Sequence, residues 1–271
     1  MKDFVTYFFK GAYLFFIDSN YRTLMKFFWI NIFKKRYTPY HVSFNGFNIQ
    51  VADFKSFIYQ YQEIFFNGFY SFNSKNSSPV IYDCGANIGI SSLFFSSKHP
   101  SAKIVAYEAS PSVFKVLEKN IRINNISNVQ LFQNAIWIKN DLLEFSEEGA
   151  DAGSLYAIKN SKKIQVQAID FLEVLNKEDK IDFIKIDIEG AENELIPHLS
   201  PAFHKIDKLF IEYHSFKNTP QKLDEILSLL KEFNFRYYIR HSNERKQPFI
   251  DNGKDENMDM QLNIFAYKIS S

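Results

Sequence analysis

The run Val80-Ile-Tyr-Asp-Cys-Gly-Ala-Asn-Ile-Gly89 constrains this chain more than any other stretch of its 271 residues. An apolar, β-forming segment meets an acidic residue, then a tight glycine turn, and then a helix that starts near Ile88. Gly85 and Gly89 let the backbone run where a Cβ would collide. Asp83 falls at the carboxyl end of the strand, the edge at which open α/β sheets hold their ligands. The spacing Asp-x-Gly-x-x-x-Gly is not the dinucleotide fingerprint Gly-x-Gly-x-x-Gly. It lacks the glycine that admits a pyrophosphate and adds a carboxylate that repels one. A carboxylate there suits a cationic ligand group.

Three further strands end in the same way. Lys103-Ile-Val-Ala-Tyr-Glu-Ala-Ser110 closes on Glu108, placed as the acid that takes both hydroxyls of a ribose in a βαβ unit. Ser110 then caps a helix with Pro111 at its first position and a stripe of Val113, Phe114, Leu117 and Ile121. Ile181 to Ile186 reads as a buried strand with Asp187, Glu189 and Glu192 crowded at its exit. Like charges that close raise one another's pKa, a pattern more frequent at functional sites than in plain turns. Lys208-Leu-Phe-Ile-Glu-Tyr-His214 adds Glu212 and His214. All these groups collect at one edge of a parallel sheet, which predicts a doubly wound, mostly parallel α/β fold with its site at the strands' carboxyl ends.

Asp83-Cys-Gly-Ala-Asn-Ile-Gly89, Glu108, Asn134-Ala135, Lys185-Ile-Asp-Ile-Glu-Gly-Ala-Glu192 and Glu212-Tyr-His214 together resemble the FkbM-type S-adenosylmethionine-dependent methyltransferases, over roughly residues 79–216. The pairing of Asp-x-Gly-Ala-Asn-x-Gly with Asp-x-Glu-Gly-x-Glu carries the resemblance, and neither half would alone. It implies a Rossmann-like methyltransferase that acts on hydroxyl oxygens, commonly of sugars, glycans and polyketide-like products. It further implies S-adenosylmethionine as cofactor and S-adenosylhomocysteine as product. By that resemblance Asp83, Gly85, Asn87 and Gly89 line the methionine half of the cofactor and Glu108 holds the ribose. Ala109 lies under the adenine with Asn134 near its edge, and Asp187, Glu189, Glu212 and His214 face the acceptor.

Composition narrows the partners. A net charge of +1 gives no electrostatic case for nucleic-acid binding. The chain also lacks the Asn-Pro-Pro-Tyr and Pro-Cys signatures of base methyltransferases. The single cysteine, Cys84, excludes an internal disulfide, fits a reducing, cytoplasmic compartment, and reads as packing rather than as a nucleophile. No cysteine–histidine spacing suggests zinc. Thirty phenylalanines and fifteen tyrosines point to a biased genome more than to a cofactor box.

Residues 1–78 read as an aromatic-rich cap with a hairpin and a helix, and residues 79–271 as the catalytic domain. Phe4 to Ile17 is too short to span a membrane, which takes about 20 apolar residues, and has no signal-peptide cleavage site. Phe27, Phe28, Ile30 and Ile32 with Lys26, Lys34, Lys35 and Arg36 form either an interfacial helix at the inner face of an anionic membrane or, the plainer reading, packing against the sheet or a partner subunit. Asn45-Gly46 predicts a hairpin turn, and Phe54 to Phe66 a helix whose Tyr59, Tyr61 and Glu63 either reach over the cofactor as a lid or belong to ordinary amphipathic packing. A polar linker, Ser71 to Pro79, precedes the first core strand. The third strand is expected over Val129 to Trp137. An inserted antiparallel pair follows at Leu142–Phe145 and Lys163–Gln167, joined by Glu147-Glu-Gly-Ala-Asp-Ala-Gly153. A helix over Thr219–Phe233 and strands over Phe235–Ile239 and Leu262–Ile269 close the sheet. The connection from Arg240 to Gln261, with Arg240, His241, Arg245 and Lys246, is either a grip for the phosphates of a nucleotide sugar or a solvated loop.

Methyl transfer from a sulfonium is an in-line displacement, and a sugar hydroxyl needs its proton removed as the bond forms. His214 is the first base on its ordinary pKa, Glu189 its rival if Asp187 crowds it. A divalent metal held by Asp187 and Glu212 ranks third. A nicotinamide-dependent sugar oxidoreductase and a non-catalytic binding module remain as alternatives from other classes. The acceptor is expected to be a nucleotide sugar or a glycan.

Overall fold

The computed structural model describes residues 2–147, 153–154, 162–217, 219–242, 247–250 and 258–269. Two helices, α1 (Lys2–Ile17) and α2 (Ser19–Asn31), come first. Asp18 separates them because its carboxylate accepts the otherwise free N–H groups of Asn20 and Tyr21, at 2.8 and 3.1 Å. The hairpin of β1 (Tyr40–Phe44) and β2 (Phe47–Val51) turns at Asn45 and Gly46, both at positive φ (48° and 84°), as a two-residue type I′ turn requires. Asp53 caps α3 (Phe54–Tyr61), which passes directly into a π-helical segment at Gln62–Phe66. The expected helix over 54–66 is therefore continuous but changes its winding halfway.

The catalytic half follows as β3 (Val80–Cys84), α4 (Ile90–Lys98), β4 (Lys103–Tyr107), α5 (Pro111–Ile123) and β5 (Val129–Phe132). The insertion comprises β6 (Ala135–Trp137), β7 (Asp141–Glu147), β8 (Gly153–Ser154) and β9 (Lys162–Asp170). The chain then completes α6 (Phe171–Leu175), β10 (Phe183–Ile186), α7 (Glu192–Leu199), β11 (Lys208–Phe216), α8 (Leu223–Glu232), β12 (Phe235–His241) and β13 (Met258–Lys268). The main sheet has seven strands in the order β12-β13-β11-β10-β3-β4-β5, and β13 runs antiparallel to both neighbours. The doubly wound, mostly parallel architecture is as expected. The strand order reverses between β3 and β10, the point at which such sheets bind ligands.

Several boundaries differ from expectation, and the closing strand expected over Leu262–Ile269 already begins at Met258, inside the expected connection. The strand expected over 129–137 is two strands in two sheets. Pairing with β4 ends where Glu108 N–H meets the Phe132 carbonyl at 3.1 Å, and Ala135–Trp137 turns away to pair with β9. The first core helix starts at Ile90 rather than Ile88, because Asn87 and Gly89 hold the turn at φ 49° and 94°. The helix expected from Thr219 starts at Leu223, after the Lys222 N–H is taken by the Tyr213 hydroxyl at 3.2 Å. The inserted pair is present as β7 and β9, antiparallel. Its connecting residues Glu148 to Ala152 lie outside the described residues, as do Arg245 and Lys246 of the basic connection.

Hydrophobic cores fill both faces of the sheet. On one face the cap contributes Phe57, Ile58, Tyr61 and Phe65, which pack with Ile81, Leu93, Phe94 and Ile104. Phe65 and Phe94 meet edge to face at 5.3 Å, so cap and sheet share one core. On the other face Tyr82, Ile184 and Ile211 are covered by residues of α6, α7 and α8, including Phe171, Leu195 and Leu230.

Candidate functional site

The site begins with a contact between two backbones. A Cβ on Gly85 would lie 1.8 Å from the Asp187 carbonyl oxygen, so only glycine lets the exits of β3 and β10 touch. Asn87, at φ 49°, then presents its N–H to one oxygen of Glu108 at 2.9 Å, while Ser110 N–H donates to the other at 2.8 Å. The half-buried Glu108 is thus fixed at the end of β4. Its burial pushes the carboxyl up to about 7, against the pull of those two N–H groups.

Asp83, expected to face the ligand, is fully buried. One of its oxygens accepts from the hydroxyls of Ser91 and Ser92, both at 2.6 Å; the other has no hydrogen-bond partner, and the Lys185 ammonium lies 3.7 Å from it. Lys185, which the sequence reading passed over, connects this carboxylate to the site. It donates to the Gly85 carbonyl at 2.7 Å and pairs with Asp187 at 3.2 Å. Burial pulls the ammonium pKa down, but Asp187 and Asp83 outweigh it and the net shift is upward.

A cavity of about 170 Å³ opens here. Gly85, Ala86 and Asn87 form one wall, Lys185, Asp187, Glu189 and Glu212 line it from the strand ends, and Glu63 and Ile64 of the π-helical segment close it from the cap. Of the three cap residues proposed as a lid, Glu63 lines the cavity, Tyr61 is buried in the core and Tyr59 is exposed. Burial, then Asp187, pushes Glu63 up to about 7, with Arg240 and Lys185 pulling it back. Burial and Asp187 likewise raise Glu212 well above the ordinary carboxyl range. The Gln261 side-chain amide donates to Glu212.

The three acids after β10 divide. Glu192 turns inward, fully buried, and accepts from Ile188 N–H at 2.8 Å and Gly190 N–H at 2.7 Å. It is a brace for the turn, not a site carboxylate. Glu189 sits at φ 56°, a strained position for a residue with a Cβ, and faces the cavity. His214 is 1% exposed and does not itself line the cavity. Its Nδ1 lies 3.2 Å from Glu192 and its Nε2 3.7 Å from Glu189. Burial pulls the imidazole pKa down, but Glu192, Glu189 and Glu212 more than reverse this, so it rises well above 6.5. That upward shift departs from the ordinary pKa on which His214 was favoured as the base. Asp187, Glu212 and His214 each offer one ligand atom within 4.8 Å of the others, a set able to hold a divalent ion.

Ala109 and Asn134 lie apart from the acidic cavity. Ala109 packs on the small cluster of Ala135, Val166 and Ala168, and the Asn134 amide donates to the Gln167 carbonyl at 3.4 Å. Gly89 shapes the turn from behind, where a Cβ would meet Leu117 at 2.7 Å. Cys84 is buried and its thiol is pushed well up by burial, which removes it as a nucleophile. The arrangement can bind a cationic ligand and accept a proton. It offers no thiol chemistry.

Residues 83–237 match the family profile of the methyltransferase FkbM domain. The chain is 30% identical over 175 residues to the methyltransferase sdnD of Sordaria araneosa, across 50% of this chain and 66% of that protein. It is 25% identical over 153 residues to the hexuronic acid methyltransferase AglP of Haloferax volcanii, across 56% and 62% of the two chains. Each match spans less than two thirds of the relative's own length. Among solved structures, a methyltransferase FkbM from Methylobacillus flagellatus superposes with a TM-score of 0.46 at 16% identity, over 71% of this chain and 44% of that one.

Proposed function

The chain belongs to the FkbM family of S-adenosylmethionine-dependent methyltransferases, and from that premise we propose that it methylates a hydroxyl oxygen of a sugar, on a nucleotide-activated sugar or within a glycan precursor. The observation that carries the reading is the cavity where Asp187, Glu189 and Glu212 converge beside the Gly85–Asn87 turn. Similarity to a hexuronic acid methyltransferase supports the sugar.

The donor set fits the cofactor. The Asp187 carboxylate and the carboxyl oxygens of Glu63 and Glu212 line the cavity beside the Lys185 ammonium, a set of acceptors that suits a ligand bearing an amino group. Glu108 would hold the ribose hydroxyls, the Gly85–Asn87 turn the methionine portion, and Ala109 the adenine. When bound, S-adenosylmethionine supplies the electrophilic methyl group and leaves as S-adenosylhomocysteine. Glu189 takes the proton from the acceptor hydroxyl, because its strained backbone sets its carboxylate at the cavity wall. His214, braced by Glu192, orients Glu189 from behind. Lys185 fixes Asp187 and so the shape of the acceptor side. Ile64 and the buried Tyr70 give the cavity an apolar side.

The test is turnover on a panel of nucleotide sugars and hexuronic acids, read by mass spectrometry of product and S-adenosylhomocysteine. Glu189→Gln should bind S-adenosylmethionine as the wild type does, and lose roughly 10²–10⁴-fold in kcat, the usual worth of a general base. Full turnover in that variant overturns the assignment. Activity abolished by chelator and restored by magnesium would favour instead a metal at Asp187, Glu212 and His214.

A further inference from the structure

Helix α2 is apolar on two faces, and the molecule covers only one. Leu24 and Phe27 are buried against the cap, where Phe27 meets Phe54, Phe57 and Tyr61 edge to face. Trp29, and Ile32 and Phe33 just past the helix end, are 68%, 66% and 85% exposed. At the helical spacing of about 100° per residue Trp29 lies on the side of α2 away from Leu24 and Phe27. The end of α1 adds Phe16 and Ile17, 81% and 60% exposed. Arg22, near the start of α2, holds the end of α1 against it by donating to the Phe15 and Phe16 carbonyls, both at 3.1 Å. Single exposed apolar side chains are ordinary, whereas a continuous group of large ones marks an interaction surface.

Charge selects the partner. Residues 1–37 hold seven basic and two acidic residues, a net of +5, within a chain of net +1; the remainder therefore carries −4. Lys26 and Lys35 flank the exposed aromatics, and Asp18 is turned onto the backbone as a helix cap. A symmetric contact between two copies would set this cation-rich surface against itself. An anionic lipid surface complements both its charge and its aromatic face. Neither α1, at 16 residues, nor α2, at 13, reaches the roughly 20 that a spanning helix takes. We propose that α1 and α2 dock this protein on an anionic membrane surface, with Trp29, Ile32 and Phe33 at the acyl boundary and Lys26 and Lys35 at the headgroups. The docking stands whether or not the acceptor is a sugar. The anchored layer does touch the cavity wall: the Asn20 amide on α2 donates to the Phe65 carbonyl at 2.8 Å, in the segment that carries Glu63.

The full-length protein is floated with phosphatidylcholine vesicles with and without phosphatidylglycerol. Two double variants of exposed residues, Trp29→Ser with Phe33→Ser and Lys26→Glu with Lys35→Glu, are compared after their melting curves and S-adenosylmethionine affinity are matched to wild type. Flotation is expected with the anionic vesicles alone, falling at least about tenfold in each double variant. The emission of Trp29, read in a Trp137→Phe background, should shift to shorter wavelength on binding. The proposal is overturned by absence of flotation with anionic vesicles or by flotation that both variants retain. It is overturned equally by a dimer in sedimentation that Trp29→Ser with Phe33→Ser dissociates, since the face would then be a subunit contact.

Discussion

Two carboxyl groups, Glu63 and Glu108, are each pushed from 4.5 up to about 7 by burial, and this fixes the sign of one pH effect. In the unfolded chain both ionise near 4.5; in the folded chain both keep their protons to about 7. Their contribution to stability is therefore whole below the unfolded value and is lost as pH rises through the folded one. Glu63→Gln removes one of the two, so its melting temperature should fall less than the wild type's between about pH 4.5 and 7. Parallel melting profiles would show that Glu63 ionises normally. Glu108 was legible in the sequence because a strand-end acid in a βαβ unit has a place dictated by geometry. Lys185 was not, although a lysine inside the apolar run Ile184–Ile186 is itself a signal. Its meaning comes from Asp83 and Gly85, a hundred residues upstream, and only the parallel pairing of β3 with β10 brings them together. His214 was legible by position, whereas the role of Glu192 beside it, a buried brace that reads in the sequence as a site acid, was not.

At the scale of elements, local patterns gave the strands their ends and the hairpin its turn, because Asn-Gly and Ser-Pro act within a few residues. The break after Phe132 was invisible, since Val129 to Trp137 is apolar enough for one strand and only the competing edge of β9 divides it. The π-helical winding at Gln62–Phe66 was equally hidden. It brings Glu63 and Ile64 to the cavity while Phe65 remains in the core. Phe57, 1% exposed, holds α3 against α2 and the hairpin through contacts with Phe27 and Phe44. Phe57→Ala should cost about 3–5 kcal/mol in urea unfolding, the range for emptying a packed aromatic site. A loss below about 1 kcal/mol would mean that the cap contributes little to the fold.

For the whole molecule, the question is whether the division proposed at residue 78 separates two stabilities or only two sequence textures. Cap and sheet share one core on the β3 side, from Phe44 through Phe65 and Phe94 to Ile104. The α5 helix is tied to the hairpin as well: the buried Asn120 amide donates to the Gln50 carbonyl at 2.9 Å, and Gln50 N–H returns to Asn120 at 2.8 Å. Such contacts leave neither part a complete apolar interior alone, and elements that share a core unfold together. The two tryptophans allow a direct measurement, because Trp29 lies in the cap and Trp137 in the inserted sheet. In single-tryptophan variants, Trp29→Phe and Trp137→Phe, the two urea transitions should share one midpoint and match the loss of far-ultraviolet dichroism. A Trp29 transition at clearly lower urea would instead give the cap its own stability. The cavity would then lose the Glu63 wall before the sheet that carries Asp187, Glu189 and Glu212 comes apart.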